Sequence, residues 1–398
     1  MNREDFSILE SNIVYFDNAA TTFKPNYVID EICDYYRNYT ANAHRGDYKN
    51  SLKVDKIYEQ TRDKVKTFIN AKSSSEIIFT KGTTDSLNII VSGFMKNYLQ
   101  ENDEVIITKS EHASNILPWL ELEKQIGIKV KYIDLDENYE VNISNVASYI
   151  TPNTKVISLA HITNVIGDIR PIEQIGKICK ENNIIFIVDA AQSIGHVKID
   201  VETSNIDFLA FSAHKMLGPT GIGVLYGKYE LLNELYPTQF GGGMNVQFDS
   251  VGNIEYKELP SRLEAGTPNI AGVIGLGAAI DYINKLGIDK IHSHEIALKK
   301  YAIKELEKIP GIEIYNKNSN SGIIIFNIKN IFSQDTAVFL DRYNICVRAG
   351  NHCAKTLKEE LGIKNTCRIS FYLYNTIEEI NHLIEVLKTH DKLFDVII

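Results

Sequence analysis

Residues 184–221 read IIFIVDAAQSIGHVKIDVETSNIDFLAFSAHKMLGPTG and contain two short apolar runs, each followed by polar residues. The first run, IIFIVD, ends at Asp189, and the second, FLAFS, is followed by Lys215. Apolar runs of this length, bounded by turn residues, are typical of strands buried on both faces of a parallel sheet. Because ligands of such sheets bind beyond the carboxyl ends of the strands, we expect Asp189 and Lys215 to face one ligand site.

A carboxylate and a lysine in this arrangement suit pyridoxal phosphate as the cofactor. The lysine amine can bond the aldehyde, and the carboxylate keeps the pyridine nitrogen protonated. Burial beside the cationic ring lowers the pKa of Lys215 towards the neutral, nucleophilic form. We expect Gln192 to bond the phenolic oxygen, and Ser212 and His214 to hold the phosphate. Taken singly, Asp189 is better explained as a helix cap and Lys215 as a surface lysine, but the two together favour the cofactor.

The chain as a whole has the size and charge of a globular enzyme. Its 398 residues exceed what one core usually supports, which predicts two unequal lobes. With 51 acidic against 42 basic residues and no long basic run, a nucleic-acid partner is not expected. Five scattered cysteines without metal-type spacing predict a reducing compartment and no metal site. Since we find neither a leader-like start nor a membrane span, we expect a cytoplasmic protein.

The order of apolar segments predicts an α/β fold. From EIIFT (76–80) to GIGVLYG (221–227), apolar runs alternate with amphipathic stretches, which predicts a mostly parallel sheet covered by helices on both faces. We assign residues 21–263 to this large cofactor-binding domain. Beyond Glu264 the pattern changes to long helices at 271–286 and 288–308, then short strands and a closing helix. Residues 1–20 and 264–398 are therefore predicted to form a smaller α+β domain.

Two further motifs contribute to the predicted cofactor site. KGTTDSLN (81–88) follows a strand and opens a helix, so its backbone N–H groups and the hydroxyls of Thr83 and Thr84 can bind phosphate. SEHASNILPW (110–119) places His112 after another strand, where an imidazole can stack on the pyridine ring and move protons at neutral pH. His161 also ends a strand, and a structural role and a functional role are equally supported for it. Asn164, which follows, can bond cofactor or substrate.

The segment RAGNHCAK (348–355) adds a candidate nucleophile. Cys353 lies in a predicted turn, and the preceding Arg348 and His352 favour its thiolate form, although a buried cysteine that packs as a small hydrophobe is the commoner case. Arg368, in CRISF, can clamp a carboxylate with two parallel hydrogen bonds. We assign Arg368, Asn164, Arg348 and His352 to the substrate-binding set.

These motifs together resemble the class V group of fold-type I pyridoxal-phosphate enzymes over nearly the whole chain. The similarity is carried by YFDNAATTFKP (15–25), AHRG (43–46), KGTTDSLN, SEHASNILPW, DAAQS (189–193), FSAHKMLGPTGIGVLYG (211–227), RLEAGTPN (262–269) and RAGNHCAK. Within the group, the RAG-x-HCA segment and its short connection to CRIS are similar to the type II cysteine desulfurases. One departure is Asn351, which stands where this branch commonly has a second histidine.

The resemblance implies a role for each matching residue. Lys215 would form the Schiff base, with Asp189, Gln192, His112, Thr84, Ser212 and His214 holding the cofactor. Thr267 would reach the phosphate of a neighbouring subunit, which implies a homodimer. Arg368 would bind the carboxylate of L-cysteine, and Cys353 would take its sulfur. Alanine would leave, and the Cys353 persulfide would pass to a sulfur-acceptor protein for iron–sulfur cluster assembly.

Other functions fit the same motifs. A selenocysteine lyase, another class V aminotransferase or a β-eliminating lyase would share the cofactor residues, and Cys353 is the residue that discriminates among them. A non-catalytic scaffold for sulfur transfer is a further alternative. It is disfavoured because Lys215, Asp189, His112, Cys353 and Arg368 are all retained.

Overall fold

The computed structural model describes residues 3–393, and its elements alternate between strands and helices. The strands are β1 (Val14–Tyr15), β2 (Ile77–Thr80), β3 (Glu104–Thr108), β4 (Lys129–Ile133), β5 (Thr154–Ala160), β6 (Ile185–Asp189), β7 (Phe208–Ser212), β8 (Gly223–Gly227), β9 (Asn245–Phe248), β10 (Ile254–Tyr256), β11 (Ile312–Ile314), β12 (Ile323–Ile328), β13 (Ile345–Cys346), β14 (Arg348–Gly350) and β15 (Thr366–Ser370). The helices are α1 (Asn26–Asn38), α2 (Lys49–Phe68), α3 (Thr83–Ile89), α4 (Lys96–Tyr98), α5 (Leu117–Ile126), α6 (Ile143–Tyr149), α7 (Ile172–Glu181), α8 (Tyr229–Glu234), α9 (Ile270–Leu286), α10 (Ile288–Leu306), α11 (Ser333–Asp341), α12 (Lys355–Leu361) and α13 (Ile377–Leu387).

The large lobe is built on a seven-stranded sheet with the strand order β2-β8-β7-β6-β5-β3-β4. Strands β4, β3, β5, β6 and β7 pair in parallel, whereas β8 runs antiparallel to both of its neighbours. The mostly parallel α/β fold predicted from the sequence is confirmed. Because β3, β5, β6 and β7 share one direction, the residues that follow them gather at one edge of the sheet.

The central strands are apolar along their whole length because both faces of the sheet are covered. Along β6, Phe186 and Val188 belong to the core on one face, while Ile185 and Ile187 belong to the core on the other. Successive strand residues point to opposite faces, so each of these cores receives alternate side chains of the same run. This double burial explains why the sequence shows a continuous apolar run rather than an alternating one.

Helix α9 ties α1 and α2 to the large lobe. Its buried residues share one core with the seven-stranded sheet, and it packs against both α1 and α2. A Cβ at Gly277 would lie 2.5 Å from Thr61 Oγ1, so a glycine at this position permits the close approach of α9 to α2. Because α9 belongs to the core of the large lobe, we propose that the smaller domain starts after this helix rather than at residue 264.

The smaller lobe contains a four-stranded antiparallel sheet with the order β11-β12-β15-β14. In this sheet Arg348 of β14 lies directly opposite Arg368 of β15. The N-terminal segment joins the lobes: Phe6 packs in the core of the large lobe, whereas Phe16 packs in the core of the smaller one. The predicted assignment of residues 1–20 to the smaller domain stays a proposal, and residues 1–2 and 394–398 of that prediction lie outside the described residues.

Between residues 3 and 393, none of the helices combines the length and apolarity needed to cross a membrane. The same residues contain no group of three or more His, Cys, Asp or Glu side chains arranged to hold a metal ion.

Candidate active site

A cavity of about 220 Å³ opens between the two lobes at the carboxyl ends of the central strands. It collects most of the residues that the sequence assigned to the site, although these come from distant parts of the chain. The residues lining it include Thr83, Thr84, His112, Asn164, Asp189, Gln192, Ser212, His214, Lys215, Arg348, His352 and Arg368. Cys353 and Thr267 are the assigned residues that do not line it.

Asp189 is the last residue of β6 and is buried at the floor of the cavity. The N–H of Ala191 donates to its Oδ1 at 2.9 Å, which fixes the carboxylate. Burial raises the pKa of Asp189 to about 6, against the opposing effects of the Ala191 hydrogen bond and of Lys215. A carboxylate held at this cost in a buried position is suited to a cationic partner, such as a protonated pyridine nitrogen.

Lys215 ends a single helical turn, Ala213–Lys215, that directly follows β7. Because β6 and β7 are parallel neighbours, this turn brings Lys215 close to Asp189. Desolvation lowers the pKa of Lys215 to about 8, and the nearby Arg368 and Arg348 act in the same direction. A substantial fraction of the amine is therefore neutral near pH 8 and available to react with an aldehyde.

A set of hydroxyls surrounds the turn between β2 and α3. The Thr83 N–H donates to Ser212 Oγ at 2.7 Å, and the Thr84 and Ser114 hydroxyls lie 2.7 Å apart. Gly82 at this turn has φ of 151°, and a Cβ on Gly223 of the adjacent β8 would lie only 2.4 Å from Gly82 Cα. Because glycine is needed at both positions, the backbone can bring these hydroxyls together as a cup for an oxyanion.

His112 caps the short turn after β3 and is neutral. Its Nδ1 accepts a hydrogen bond from the Ser114 N–H at 3.1 Å. Burial lowers the pKa of His112 to about 4, assisted by Lys215 and the two arginines. A neutral imidazole that accepts at Nδ1 carries its proton on Nε2. His112 is therefore a neutral Nε2–H donor at neutral pH, and its predicted stacking on the pyridine ring and proton transfer stay predictions.

Two amide side chains have defined partners beside the cavity. Asn164 Nδ2 donates to the carbonyl of His352 at 2.7 Å, and its buried Oδ1 has no hydrogen-bond partner among residues 3–393. Gln192 Nε2 donates to the carbonyl of Ala19 at 2.7 Å and so fixes the N-terminal segment. The unpaired Asn164 oxygen is an acceptor that a bound amine can fill.

The two arginines on neighbouring strands give the cavity its positive wall. Arg368 is fully buried, with Nη1 donating to the Asn164 carbonyl at 2.9 Å and Nη2 donating to Asp17 at 3.0 Å. Within the part of the chain that the structure describes, its Nε has no hydrogen-bond partner. A buried guanidinium that lines a cavity and retains an unpaired donor is suited to a carboxylate ligand.

Cys353 lies in the turn after β14 and its side chain is exposed. The Cys353 N–H donates to Asn351 Oδ1 at 3.0 Å, and the Cys353 carbonyl accepts from the Ala113 N–H at 2.9 Å. This backbone contact places the turn that carries Cys353 beside His112, which lines the cavity. Asn351, the departure from the type II pattern, therefore shapes the turn that carries the thiol.

His352 lines the cavity from the turn that carries Cys353. Its Nε2 lies 3.1 Å from the Thr366 carbonyl, and the side chain is buried. Burial and the charges of Arg368 and Lys358 lower the pKa of His352 to about 2. His352 is therefore a neutral imidazole directly before Cys353, and its predicted roles, in substrate binding and in favouring the thiolate, stay predictions.

Thr267 lies in a second cavity of about 230 Å³, outside the first one. The loop that carries it is anchored by Glu264, whose Oε1 pairs with Arg62 Nη1 at 2.7 Å and accepts from the Phe79 N–H at the same distance. The role predicted for Thr267, in the site of a neighbouring subunit, stays a prediction.

Sequence reasoning missed the buried ion pair beneath the cavity, Glu111 with Arg170. Both side chains are fully buried and joined by a short contact. Glu111 also accepts from the Ala160 N–H at 2.7 Å, so the pair ties β5 to the loop that carries His112. For His161 a structural and a functional role were both open. It lines a separate cavity and is not among the residues that line the candidate site. The signal in the sequence for this pair was Glu111, the acidic residue directly before His112 in SEH.

The side chains around the cavity fit pyridoxal phosphate. A desolvated carboxylate, a lysine of lowered pKa and a hydroxyl cup lie around one cavity large enough for a flat ring. The unpartnered Arg368 Nε and Asn164 Oδ1 are left for an amino-acid substrate.

Comparison with known proteins gives consistent matches over nearly the whole chain. The family model described as aminotransferase class-V matches residues 14–383. A probable cysteine desulfurase of Halalkalibacterium halodurans is 43% identical over 390 residues, covering 98% of this chain and 96% of the relative. The apo structure of a Thermococcus onnurineus cysteine desulfurase has a TM-score of 0.93 at 38% identity, covering 97% and 96% of the two chains. The Escherichia coli cysteine desulfurase CsdA, with an S-sulfonic acid, has a TM-score of 0.92 at 34% identity, covering 100% and 98%.

Proposed function

We infer that this chain, which belongs to the class-V aminotransferase family, is a pyridoxal-phosphate-dependent cysteine desulfurase. The observation that carries the inference is an exposed thiol, Cys353, on a turn whose backbone bonds Ala113, the residue directly after the cavity-lining His112. The cofactor residues alone are common to many reactions of amino acids. A thiol directly after His352, which lines the cavity, selects the reaction in which sulfur is removed.

Different residues around the cavity would bind the cofactor and the substrate. Asp189 would hold the ring nitrogen, Lys215 the aldehyde, and the hydroxyls of Thr83, Thr84 and Ser212 the phosphate. When bound, pyridoxal phosphate supplies an electron sink that labilises bonds at the α and β carbons of an amino acid. Arg368 and Asn164 would bind the substrate carboxylate and amine, because each retains an unpaired polar atom.

Lys215 and Cys353 carry the proton and sulfur transfers. With a pKa of about 8, Lys215 can accept a proton from the substrate and return it to carbon near neutral pH. The Cys353 thiolate attacks the substrate sulfur, so that a carbon–sulfur bond breaks and a sulfur–sulfur bond forms. Protonation of the carbon completes alanine, and Cys353 is left as a persulfide.

The test is to supply L-cysteine with a reductant and to measure alanine and sulfide. We expect the wild type to release equal amounts of both products. The control Cys33→Ala, which replaces a partly exposed cysteine distant from Cys353 in the sequence, should do the same. Cys353→Ala should lose sulfide release while it retains the visible absorbance of the cofactor. Unchanged turnover of Cys353→Ala would contradict the proposal. Turnover restricted to L-selenocysteine would indicate a selenocysteine lyase instead.

We also propose that the functional unit is a homodimer. Thr267 lies outside the cavity of its own chain, where it is free to contact another subunit. The β9–β10 hairpin exposes apolar side chains, including Phe248 at 75% and Val251 at 83%. An exposed apolar patch of this kind is typical of an interface. Sedimentation should give a dimer for the wild type and a monomer for Phe248→Asp, and a monomeric wild type would contradict the proposal.

The exposure of Cys353 supports transfer of the persulfide to a sulfur-acceptor protein. An acceptor thiol must reach the outer sulfur directly, because exchange proceeds by attack on that atom. Iron–sulfur cluster assembly is the destination that we propose for this sulfur. Loss of cluster activation when this protein is omitted from a reconstituted assembly would support it, and unaffected activation would contradict it.

A further inference from the structure

We propose that Thr22 is a positioning residue for Lys215: its hydroxyl holds the backbone on both sides of this lysine and so places the amine in the cavity. The inference rests on the proposed role of Lys215 and deepens it. Thr22 lies in the motif YFDNAATTFKP (15–25), of which Ala19 and Ala20 line the cavity. Thr22 is not among the lining residues, so it acts through the chain that carries Lys215.

The Thr22 side chain forms hydrogen bonds to the residues before and after Lys215. Its Oγ1 accepts from the Leu217 N–H at 3.0 Å and donates to the His214 carbonyl at 3.2 Å. A hydroxyl has one proton to donate and lone pairs that accept, so the two bonds are compatible. Thr22 is only 1% exposed, and its N–H also donates to the His214 carbonyl at 2.9 Å. One buried residue therefore holds both sides of Lys215.

The backbone at Leu217 is strained and needs a restraint. Leu217 has φ of 68°, in the left-handed region that residues with a side chain rarely adopt, and its side chain is fully buried. Strain of this kind persists only where the surrounding structure fixes the backbone. The N–H of this strained residue is the group that Thr22 Oγ1 binds. Loss of the bond would leave a buried donor unpaired and remove a restraint on φ.

The turn transmits this restraint to Lys215. The Ala213 carbonyl accepts from the N–H groups of Met216 and Gly218, both at 2.9 Å. A Cβ at Gly218 would lie 2.8 Å from Ala213 Cβ, so the turn is tightly closed. Lys215 lies inside this closed turn, two residues before Leu217. A change of φ at Leu217 would therefore move the backbone from which the lysine side chain extends.

The bond to Leu217 distinguishes Thr22 from its neighbours. Thr21 Oγ1 and Lys24 Nζ also lie 3.1 Å and 3.4 Å from the His214 carbonyl oxygen. That carbonyl keeps other donors when the Thr22 hydroxyl is removed. Within residues 3–393, however, the Leu217 N–H has no second hydrogen-bond partner. The hydroxyl of Thr22 is therefore the group to remove in a test.

Four variants separate the hydroxyl from the size of the side chain. Thr22→Val keeps the branched shape but cannot accept from Leu217, Thr22→Ala removes the hydroxyl in a second way, and Thr22→Ser keeps it. Thr336→Val is the matched control. Thr336 is also 1% exposed, and its hydroxyl donates to a backbone carbonyl, that of Phe332, in the smaller lobe. Thermal melting of each variant checks that it is folded.

The test measures how fast the cofactor-free protein bonds pyridoxal phosphate at Lys215. Samples taken at intervals are treated with borohydride, which makes the bond to the amine permanent, and the peptide containing Lys215 is quantified by mass spectrometry. We expect the rate constant to fall at least about tenfold in Thr22→Val and Thr22→Ala, because a misplacement of about 1 Å can cost about a hundredfold in rate. Thr22→Ser should recover most of the rate, and Thr336→Val should match the wild type.

The outcomes separate the role of Thr22 from that of Lys215. A wild-type rate in a folded variant without the Thr22 hydroxyl, or an equal loss in Thr22→Ser or Thr336→Val, would overturn the role of Thr22. Cofactor fixed on a different lysine of the wild type would instead overturn the proposed role of Lys215. Since the assay contains no L-cysteine, its result does not depend on the desulfurase proposal.

Discussion

Replacing Asp189 with asparagine should stabilise the cofactor-free protein while it weakens cofactor binding. Burial raises the pKa of Asp189 from 3.8 to about 6, so the charged carboxylate is disfavoured in the folded chain relative to the unfolded chain. A residue held at a cost to stability in this way is typical of a functional site. The two effects of Asp189→Asn are therefore expected to have opposite signs.

The magnitude and its pH dependence follow from linkage. The folded protein binds the proton more tightly between pH 3.8 and about 6, so the stability of the wild type falls as pH rises through this window. Each tenfold step in the proton affinity is about 1.4 kcal/mol, which gives about 3 kcal/mol above pH 6. Asparagine does not titrate. The stabilising effect of Asp189→Asn should therefore be full at pH 7 and absent below pH 4.

The assay is thermal melting of the cofactor-free proteins across this pH range. With an unfolding entropy of about 2.1 cal/mol/K per residue, about 3 kcal/mol corresponds to a rise in Tm of about 3–4 °C at pH 7. Pyridoxal phosphate should then raise the Tm of the wild type more than that of the variant. A control, Asp63→Asn, should show neither effect. A variant that melts at a lower temperature at every pH would refute the reasoning.

Three other perturbations test separate parts of the site. Arg368→Lys should raise KM for L-cysteine about 10- to 100-fold with a smaller change in kcat, because lysine lacks the planar fork that binds a carboxylate; an unchanged KM would contradict the assignment. Glu111→Gln should lower the free energy of unfolding, measured by urea denaturation, by about 3–5 kcal/mol, since it leaves Arg170 as a buried charge without its partner. A loss below about 1 kcal/mol would contradict a buried ion pair between Glu111 and Arg170. Cofactor uptake by the stripped protein should accelerate as pH rises towards 8 and level off above it, as the Lys215 amine loses its proton; a rate independent of pH would exclude Lys215 as the reacting amine.

The strands and the residues at their ends could be predicted because the signals are local. The runs IIFIVD and FLAFS became β6 and β7, and parallel pairing of neighbouring strands brought Asp189 and Lys215 together. The antiparallel direction of β8 could not be read in the same way. A buried strand shows the same apolar run in either orientation, and only the connection decides its direction.

Partners far apart in the sequence were not predictable. Asp17 and Arg368 are 351 residues apart, and a single sequence shows no pattern that joins them. The surroundings of His352 were not predictable for the same reason. The sequence shows only that it precedes Cys353, whereas in the fold its Nε2 lies beside Thr366, and burial with the charges of Arg368 and Lys358 keeps it neutral. Proximity along the chain is a poor guide to protonation when burial dominates the pKa.

The most direct test of the central claim follows one sulfur atom. The holoenzyme is mixed with one equivalent of L-cysteine labelled with a heavy sulfur isotope, without reductant, and quenched for peptide mass spectrometry and alanine analysis. We predict that the peptide containing Cys353 gains one labelled sulfur for each alanine released. Alanine released without label on Cys353, or label on another cysteine, would contradict the assignment of Cys353 as the sulfur acceptor of the active site.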